Sequence, residues 1–156
     1  MDRSLTWKIE SAEGGKTRFI VNGELTENAN LSALAAEGSK EIILDLSGVT
    51  RINSPGVREW IAFVNDLAER RTDLVLEKCS VPFVNQLNMI SNFRGKGSVS
   101  SVFAPYFCPQ CSKEERRLVV LSVDPRAQIA APFPCPACAT PMDFDDLLDA
   151  FLAFIG

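Results

Sequence analysis

The chain has 156 residues, of which 46% are apolar, enough for one buried core with a small appendage. Its net charge of −4 argues against binding to nucleic acid or an anionic membrane, where lysine and arginine must neutralise phosphates. The absence of histidine removes the commonest general base and the usual ligand of catalytic zinc. No apolar stretch has the length a bilayer requires, and the first residues lack a signal-peptide pattern, so we expect a cytoplasmic protein.

The N-terminal segment carries a hairpin pattern followed by a short helix pattern. Residues 5–10 and 17–22 alternate apolar and polar side chains on either side of a glycine turn, which predicts an antiparallel hairpin. We expect Thr26 or Asn28 to cap the helix that follows and Gly38 to end it.

A buried strand leads into an amphipathic helix in the middle of the chain. The apolar run of residues 42–44 predicts a central strand covered on both faces, and we expect the chain to leave the sheet over residues 45–52. Ser54 can accept from first-turn amides and Pro55 needs no donor there, so this pair predicts a helix start capped by Ser54. The helix has one apolar face, formed by Val57, Trp60, Ile61, Val64, Leu67 and Ala68.

Three further elements complete this part of the chain. Residues 74–77 predict a strand, residues 80–82 open a helix, and residues 99–107 predict a final strand of the same sheet. The buried face of that helix is expected to carry Phe83, Leu87 and Ile90. Cys79, at a strand end, is interpreted as a small buried hydrophobe. Alternating strands and helices predict an α/β layer with a parallel or mixed sheet.

Residues 45–49 read Asp-Leu-Ser-Gly-Val at the end of the apolar strand, and residues 52–56 read Ile-Asn-Ser-Pro-Gly at the helix start. With the Phe-Ile-Val-Asn-Gly-Glu-Leu segment at 19–25, this pattern resembles the STAS domain family, whose best-known members are bacterial anti-sigma-factor antagonists. The resemblance covers residues 5–107 and implies a mixed β-sheet with helices packed on it. It also makes Ser54 a phosphorylation candidate, because a partner kinase modifies the matching serine in that family.

Two positions at the helix start depart from the family pattern. Asn53 stands where phosphorylated members usually carry Asp, and Pro55 stands where they usually carry Ser. The alternative role of Ser54 is a helix cap, which contributes about 1 kcal/mol and needs no kinase. The expected partner-binding residues are Arg51, Asn53, Ser54, Pro55, Gly56, Arg58 and Phe63. Among them, Arg51 and Arg58 flank the serine. Phe63 lies off the main apolar face and is expected either to contact a partner or to pack at the edge of the core.

The cysteines give the most specific pattern in the sequence. Two Cys-Pro-x-Cys motifs provide four ligands, Cys108, Cys111, Cys135 and Cys138. Four sulfurs on two short turns fit one tetrahedral Zn²⁺ with no open position, which defines a structural site. A redox-active dithiol is the alternative, but such a motif usually lies between a strand and a helix, whereas the first motif here leads into a strand pattern. The sequence does not distinguish zinc from iron in this four-sulfur site.

The region 108–142 is predicted to be a zinc ribbon inserted into the larger domain. Between the two cysteine motifs, residues 118–123 predict a strand, Asp124-Pro125 a turn, and residues 128–131 a strand that pairs back. Such a hairpin buries too little apolar area to fold alone, so the metal is expected to supply its stability.

The last residues are predicted to form a C-terminal helix that returns to the core. Asp143 is expected to cap it, and its apolar side chains recur at helical spacing: Phe144, Leu147, Leu148, Phe151, Leu152 and Ile155. The predicted organisation is therefore a STAS-like domain at 1–107, the ribbon, and a helix at 143–156 that packs on the first domain.

No catalytic arrangement is visible in the sequence: there is no carboxylate pair, no serine with a base, no Walker loop and no dinucleotide motif.

The leading hypothesis is a non-enzymatic signalling module that binds protein: an anti-sigma factor, a serine kinase or another STAS protein. The sequence is also compatible with a homo-oligomer. One alternative is a scaffold subunit that self-associates, with Ser54 only a cap. Another is a STAS-regulated zinc ribbon that binds nucleic acid. Asp45 is interpreted as a structural carboxylate that holds loop amides.

Overall fold

The computed structural model describes residues 3–155. It has an α/β fold in which a mixed five-stranded sheet adjoins a separate three-stranded antiparallel sheet. The larger sheet has the order β1-β2-β3-β4-β5, and its strands are β1 (Thr6–Glu13), β2 (Lys16–Leu25), β3 (Glu41–Ile52), β4 (Asp73–Glu77) and β5 (Ser98–Val99). β1 is antiparallel to β2 and the other neighbouring strands are parallel, which confirms the fold class and the N-terminal hairpin.

β3 is the central strand, as predicted, but it differs from the prediction in two ways. Residues 45–52 do not leave the sheet: β3 pairs with β2 as far as Ile52, and two register shifts, each with one extra residue on β3, accommodate this polar and glycine-containing segment. The strand is also not covered equally on both faces. Ile42 and Leu44 are each 1% exposed, whereas Ile43 is only half-buried and lies on the face where Arg18 pairs with Glu77.

Three helices connect the parallel strands: α1 (Leu31–Glu37), α2 (Ser54–Glu69) and α3 (Val81–Met89). α1 is capped by Asn30, whose side chain accepts from the Ala33 amide, so the prediction of Thr26 or Asn28 as the cap is wrong. The core between α2 and α3 is aromatic. Trp60 contacts Phe83 edge-on at 5.0 Å between centroids and donates from Nε1 to the carbonyl of Phe93 at 2.6 Å.

The second sheet has the order β7-β6-β8, with β6 (Ser101–Phe107), β7 (Glu114–Val120) and β8 (Asp143–Phe144). The predicted single final strand at 99–107 is therefore wrong, since Ser100 belongs to neither β5 nor β6 and, of these two strands, β5 is the one that pairs with β4. β6 becomes the centre of the second sheet. Its connection to the first sheet is a bridge in which the Phe103 amide donates to the carbonyl of Cys79 at 2.9 Å.

The ribbon hairpin differs from its prediction. β7 pairs with β6, and residues 128–131 do not pair back as a strand, because most of them lie in helix α4 (Pro125–Ala130). Asp124 caps α4 by accepting from the amides of Arg126 and Ala127, and Pro125 occupies the first turn.

The C-terminal segment is not the single predicted helix. Asp143 caps nothing, because it lies in β8 opposite Phe107; the helical part is α5 (Leu148–Phe151) followed by a 3₁₀ turn (Ala153–Ile155). Leu147 is 76% exposed, so it is not part of a buried stripe. The segment docks on α3 through Asn88, whose side chain donates to the Phe151 carbonyl at 2.9 Å and accepts from the Phe154 amide at 2.8 Å. Gly156 lies outside the described residues.

The second sheet also contacts the polar end of β3. The Arg116 guanidinium lies 4.0 Å from the centroid of the Phe103 ring and donates to the carbonyl of Ser47 at 2.8 Å. Asp45, beside this contact, accepts from the Ser47 amide and hydroxyl, in agreement with its interpretation as a structural carboxylate. Among the described residues, no helix is long and apolar enough to cross a membrane.

Candidate metal centre and the exposed start of helix α2

The fold brings the four ribbon cysteines together. Their sulfur atoms all lie within 4.8 Å of one another. The Cys108 and Cys138 sulfurs are 3.5 Å apart, those of Cys111 and Cys135 are 3.7 Å apart, and those of Cys111 and Cys138 are 3.8 Å apart. Zn–S bonds of about 2.3 Å in a tetrahedron place sulfurs about 3.8 Å apart, so the cluster fits a single metal site.

The two cysteine turns are built alike. The Cys108 amide donates to the Lys113 carbonyl at 2.8 Å, and the Cys135 amide donates to the Thr140 carbonyl at 2.8 Å. The first cysteine of each turn is buried, Cys108 at 1% exposure and Cys135 at 3%, while the second is exposed. Each turn therefore aims one inner and one outer sulfur at the same point, which is the arrangement that closes a four-sulfur shell.

The pKa values of two of the four thiols shift in opposite directions. The Thr140 hydroxyl and then the Thr140 amide lower the pKa of Cys138 to about 6. At Cys111 the Lys113 amide acts to lower the pKa, but the neighbouring thiols, with Cys108 first, and lost hydration raise the pKa to about 11. The four thiols are close enough to hydrogen-bond to one another, so protonation of one affects the others. A bound cation would replace those protons, because metal ligation requires thiolates.

Both cysteine turns contain a strained residue directly after the second cysteine. Ser112 and Ala139 each have φ of 63°, a left-handed conformation in which a side chain costs about 1–2 kcal/mol. We expect Ala139→Gly to raise the free energy of unfolding by about 1 kcal/mol, measured by thermal or urea unfolding of the metal-loaded protein. Ala137→Gly, in the same turn at a position without positive φ, is the matched control and should give no gain. Equal effects of the two changes would contradict this explanation.

Ser54 is exposed at the first position of α2, and it is not the cap of that helix. The cap is Asn53, whose side-chain oxygen accepts from the Gly56 amide at 2.8 Å. The prediction that Ser54 caps the helix is therefore wrong: the short Asn-Ser-Pro-Gly segment offers two capping side chains, and the chain uses the first. Asn53 also donates to Glu27 at 3.1 Å. The sequence did not indicate the Glu27 carboxylate as part of this site, because Glu27 lies in the loop after β2. The backbone amide of Glu27 and, to a smaller extent, the Asn53 side chain lower the pKa of this carboxylate.

The remaining partner-binding candidates divide into exposed and buried residues. Arg51 and Arg58 are exposed and Pro55 is half-buried. Gly56 is buried, and a Cβ added to it would lie 1.9 Å from the Leu25 carbonyl oxygen, so its role is to let α2 approach β2. Phe63 is only 5% exposed and contacts Trp60 at 5.3 Å between centroids, so the interpretation that it lies off the buried face is wrong.

The fifth cysteine takes no part in the cluster. Cys79 is fully buried, as predicted, and burial raises the pKa of its thiol. Its carbonyl and amide instead connect the two sheets.

No protein-family model matches the chain, and no curated protein matches it in sequence.

Proposed function

We propose that this protein is a non-enzymatic signalling module of the STAS type, which binds a protein partner through the start of α2 and carries a structural zinc in its ribbon. The observation that carries the proposal is the exposed Ser54 at the head of a 16-residue helix that directly follows the central strand. The order of elements supports it, because the strands and helices from β1 to β5 follow the order that the resemblance implies. An anti-sigma factor, a serine kinase or a second STAS protein is the partner class that the resemblance suggests.

A phosphate on Ser54 would alter the surface more than the fold. Pro55 has no amide hydrogen and the Gly56 amide is already bonded to Asn53, so few helix donors remain for the phosphate. Its charge of nearly −2 would instead stand in solvent on a surface where exposed Arg51 and Arg58 flank Ser54 in the sequence. A partner that binds this surface would therefore meet a nearly neutral local charge in place of a positive one, which is how modification would switch binding.

The ribbon is better suited to protein contact than to nucleic acid. Its basic side chains, Lys113, Arg116, Arg117 and Arg126, are each engaged within the chain. Arg116 binds Ser47 and Phe103, and Arg117 donates to the Ala131 carbonyl at 2.8 Å. Lys113 pairs with Glu115 at 3.7 Å and Arg126 with Asp149 at 2.8 Å. Two of the four cations are therefore paired with carboxylates, and the adjoining segment adds Asp143, Asp145 and Asp146, so the ribbon presents little net positive charge to phosphates.

The metal is proposed to be zinc in a structural role. Four cysteine sulfurs complete a tetrahedral shell and leave no position for water or substrate. Iron fits the same shell, and it would give the purified protein a colour that zinc does not. A redox dithiol is not favoured, because the first cysteine turn leads into β7 and not into a helix.

The binding proposal predicts that Ser54→Asp will change partner capture. The added negative charge should reduce recovery of the wild-type partner about tenfold if the partner surface is acidic, since loss of about 1.4 kcal/mol corresponds to that factor. The measurement is a quantitative pull-down from native cell extract with purified wild type and variant side by side. Ser91→Asp is the matched control, because it adds the same charge at another exposed turn and should leave recovery unchanged. Identical capture by wild type and both variants would contradict a switch at Ser54.

A further inference from the structure

The ribbon has an open edge along β7. This strand pairs with β6 on one side only, and the Leu121 amide bonds to the Ser100 carbonyl across that pair at 3.0 Å. In an antiparallel pair the direction of backbone bonds alternates, so the odd-numbered residues of β7 face β6. The amide and carbonyl groups of Glu114, Arg116 and Leu118 therefore point outward, away from the sheet.

The chain covers one end of this edge and leaves the rest open. At Val120 the Gln128 side chain imitates a neighbouring strand: it accepts from the Val120 amide at 2.9 Å and donates to its carbonyl at 2.7 Å. Among the described residues, Arg116 and Leu118 have no such cover for their outward backbone groups, and the Leu118 side chain is 40% exposed. Unpaired strand edges of this kind readily accept another strand.

The charges of β7 are complementary to those of a second β7. The strand reads Glu-Glu-Arg-Arg-Leu-Val-Val, with its acids before its bases. When two copies pair antiparallel with Arg116 at the two-fold axis, Glu115 of each copy stands opposite Arg117 of the other. The contacts of Arg117 within its own chain are the neutral Ala131 carbonyl and Phe133 ring, and Glu115 would share its carboxylate between Lys113 and the new partner. Opposite charges directly across a strand pair are stabilising. The two Arg116 side chains meet at the axis, but each guanidinium is already held by its own Phe103 and Ser47.

We propose that the protein forms a two-fold symmetric homodimer by pairing β7 with β7, which joins the two ribbons into one continuous antiparallel sheet. This surface is separate from the start of α2, so dimerisation leaves Ser54 accessible in both copies. The proposal does not depend on the proposed function. Because the open edge of β7 is paired in both copies, no β7 edge remains for a third copy to bind.

A proline placed on the open edge tests this pairing. Leu118→Pro removes an amide hydrogen that points outward and takes no part in the β6 pairing, so the metal-loaded monomer is expected to keep its fold. Leu118→Ala is the matched control, because it removes the same side chain and keeps the amide. Sedimentation velocity over a range of concentrations should show a monomer–dimer equilibrium for wild type and Leu118→Ala, and only monomer for Leu118→Pro.

A charge reversal keeps the test decisive if the proline variant does not fold. Arg117→Glu places like charges opposite each other twice in the dimer and should weaken dimerisation about tenfold or more. Adding Glu115→Arg restores both pairs and should recover dimerisation. Wild type that stays monomeric at every concentration overturns the proposal. Equal dimerisation of wild type, Leu118→Pro and Arg117→Glu also overturns it, because the interface then lies elsewhere.

Discussion

Replacing Cys135 with serine is expected to abolish tight metal binding and to unfold the ribbon. Cys135 is 3% exposed and contributes the inner sulfur of its turn. Structural zinc contributes about 10–16 kcal/mol in small domains, so the loss of one of four ligands should cost about 3 kcal/mol or more. Metal analysis of the purified chain should fall from one ion per wild-type chain to a small fraction. Hydrogen exchange should show the amides of β7 losing protection.

The damage should stay within the ribbon and its contacts. The aromatic packing around Trp60 involves Phe63, Phe83 and Phe93 and no ribbon residue, so the amides of β3 should keep their protection when the metal is lost. Cys79→Ala provides the control, because it removes a fully buried cysteine that lies outside the cluster. It should lower stability through lost packing and leave the metal content unchanged. Full metal content in Cys135→Ser would mean that the four sulfurs do not form one site.

The second large effect is expected from Gly56→Ala, which tests how α2 is held against the sheet. A Cβ at this position would lie 1.9 Å from the Leu25 carbonyl oxygen and 2.5 Å from its carbon. Both are backbone atoms, which cannot move aside without shifting β2 or α2. We expect a loss of about 3 kcal/mol in the free energy of unfolding, measured with urea. Because the change also displaces the start of the helix, partner capture through Ser54 should fall with it.

Gly15→Ala separates this steric effect from a conformational one. Gly15 has φ of 77° and no atom within 4 Å of an added Cβ, so its substitution should cost only the left-handed strain, about 1–2 kcal/mol. A smaller effect at Gly56 than at Gly15 would show that α2 does not approach β2 as closely as described.

The features set by local chemistry could be predicted from the sequence. The spacing of the four cysteines was sufficient to identify the cluster, because ligands on two short turns have few other arrangements. The apolar run at 42–44 correctly predicted the central strand. The exposure of Ser54 follows from its position at the helix start, beside a buried Gly56.

The wrong predictions arose where one local pattern serves two structures. The Asp124-Pro125 pair is typical of a turn and also of a helix start. In the structure it starts α4, and the Tyr106 hydroxyl donates to the Ile129 carbonyl of that helix at 2.8 Å. The apolar period from Phe144 suggested a helix, but that ring packs against Tyr106 and Phe151 from a short strand. Long-range packing decided both cases, and no periodicity in a single sequence contains that information.

X-ray absorption at the zinc edge tests the closed metal centre most directly, because a single open coordination position would turn a structural site into a catalytic one. The expected spectrum is that of one zinc per chain surrounded by four sulfurs at about 2.3 Å. A shell that contains oxygen or nitrogen, or a protein that takes up no metal, would contradict a ribbon braced by four cysteines.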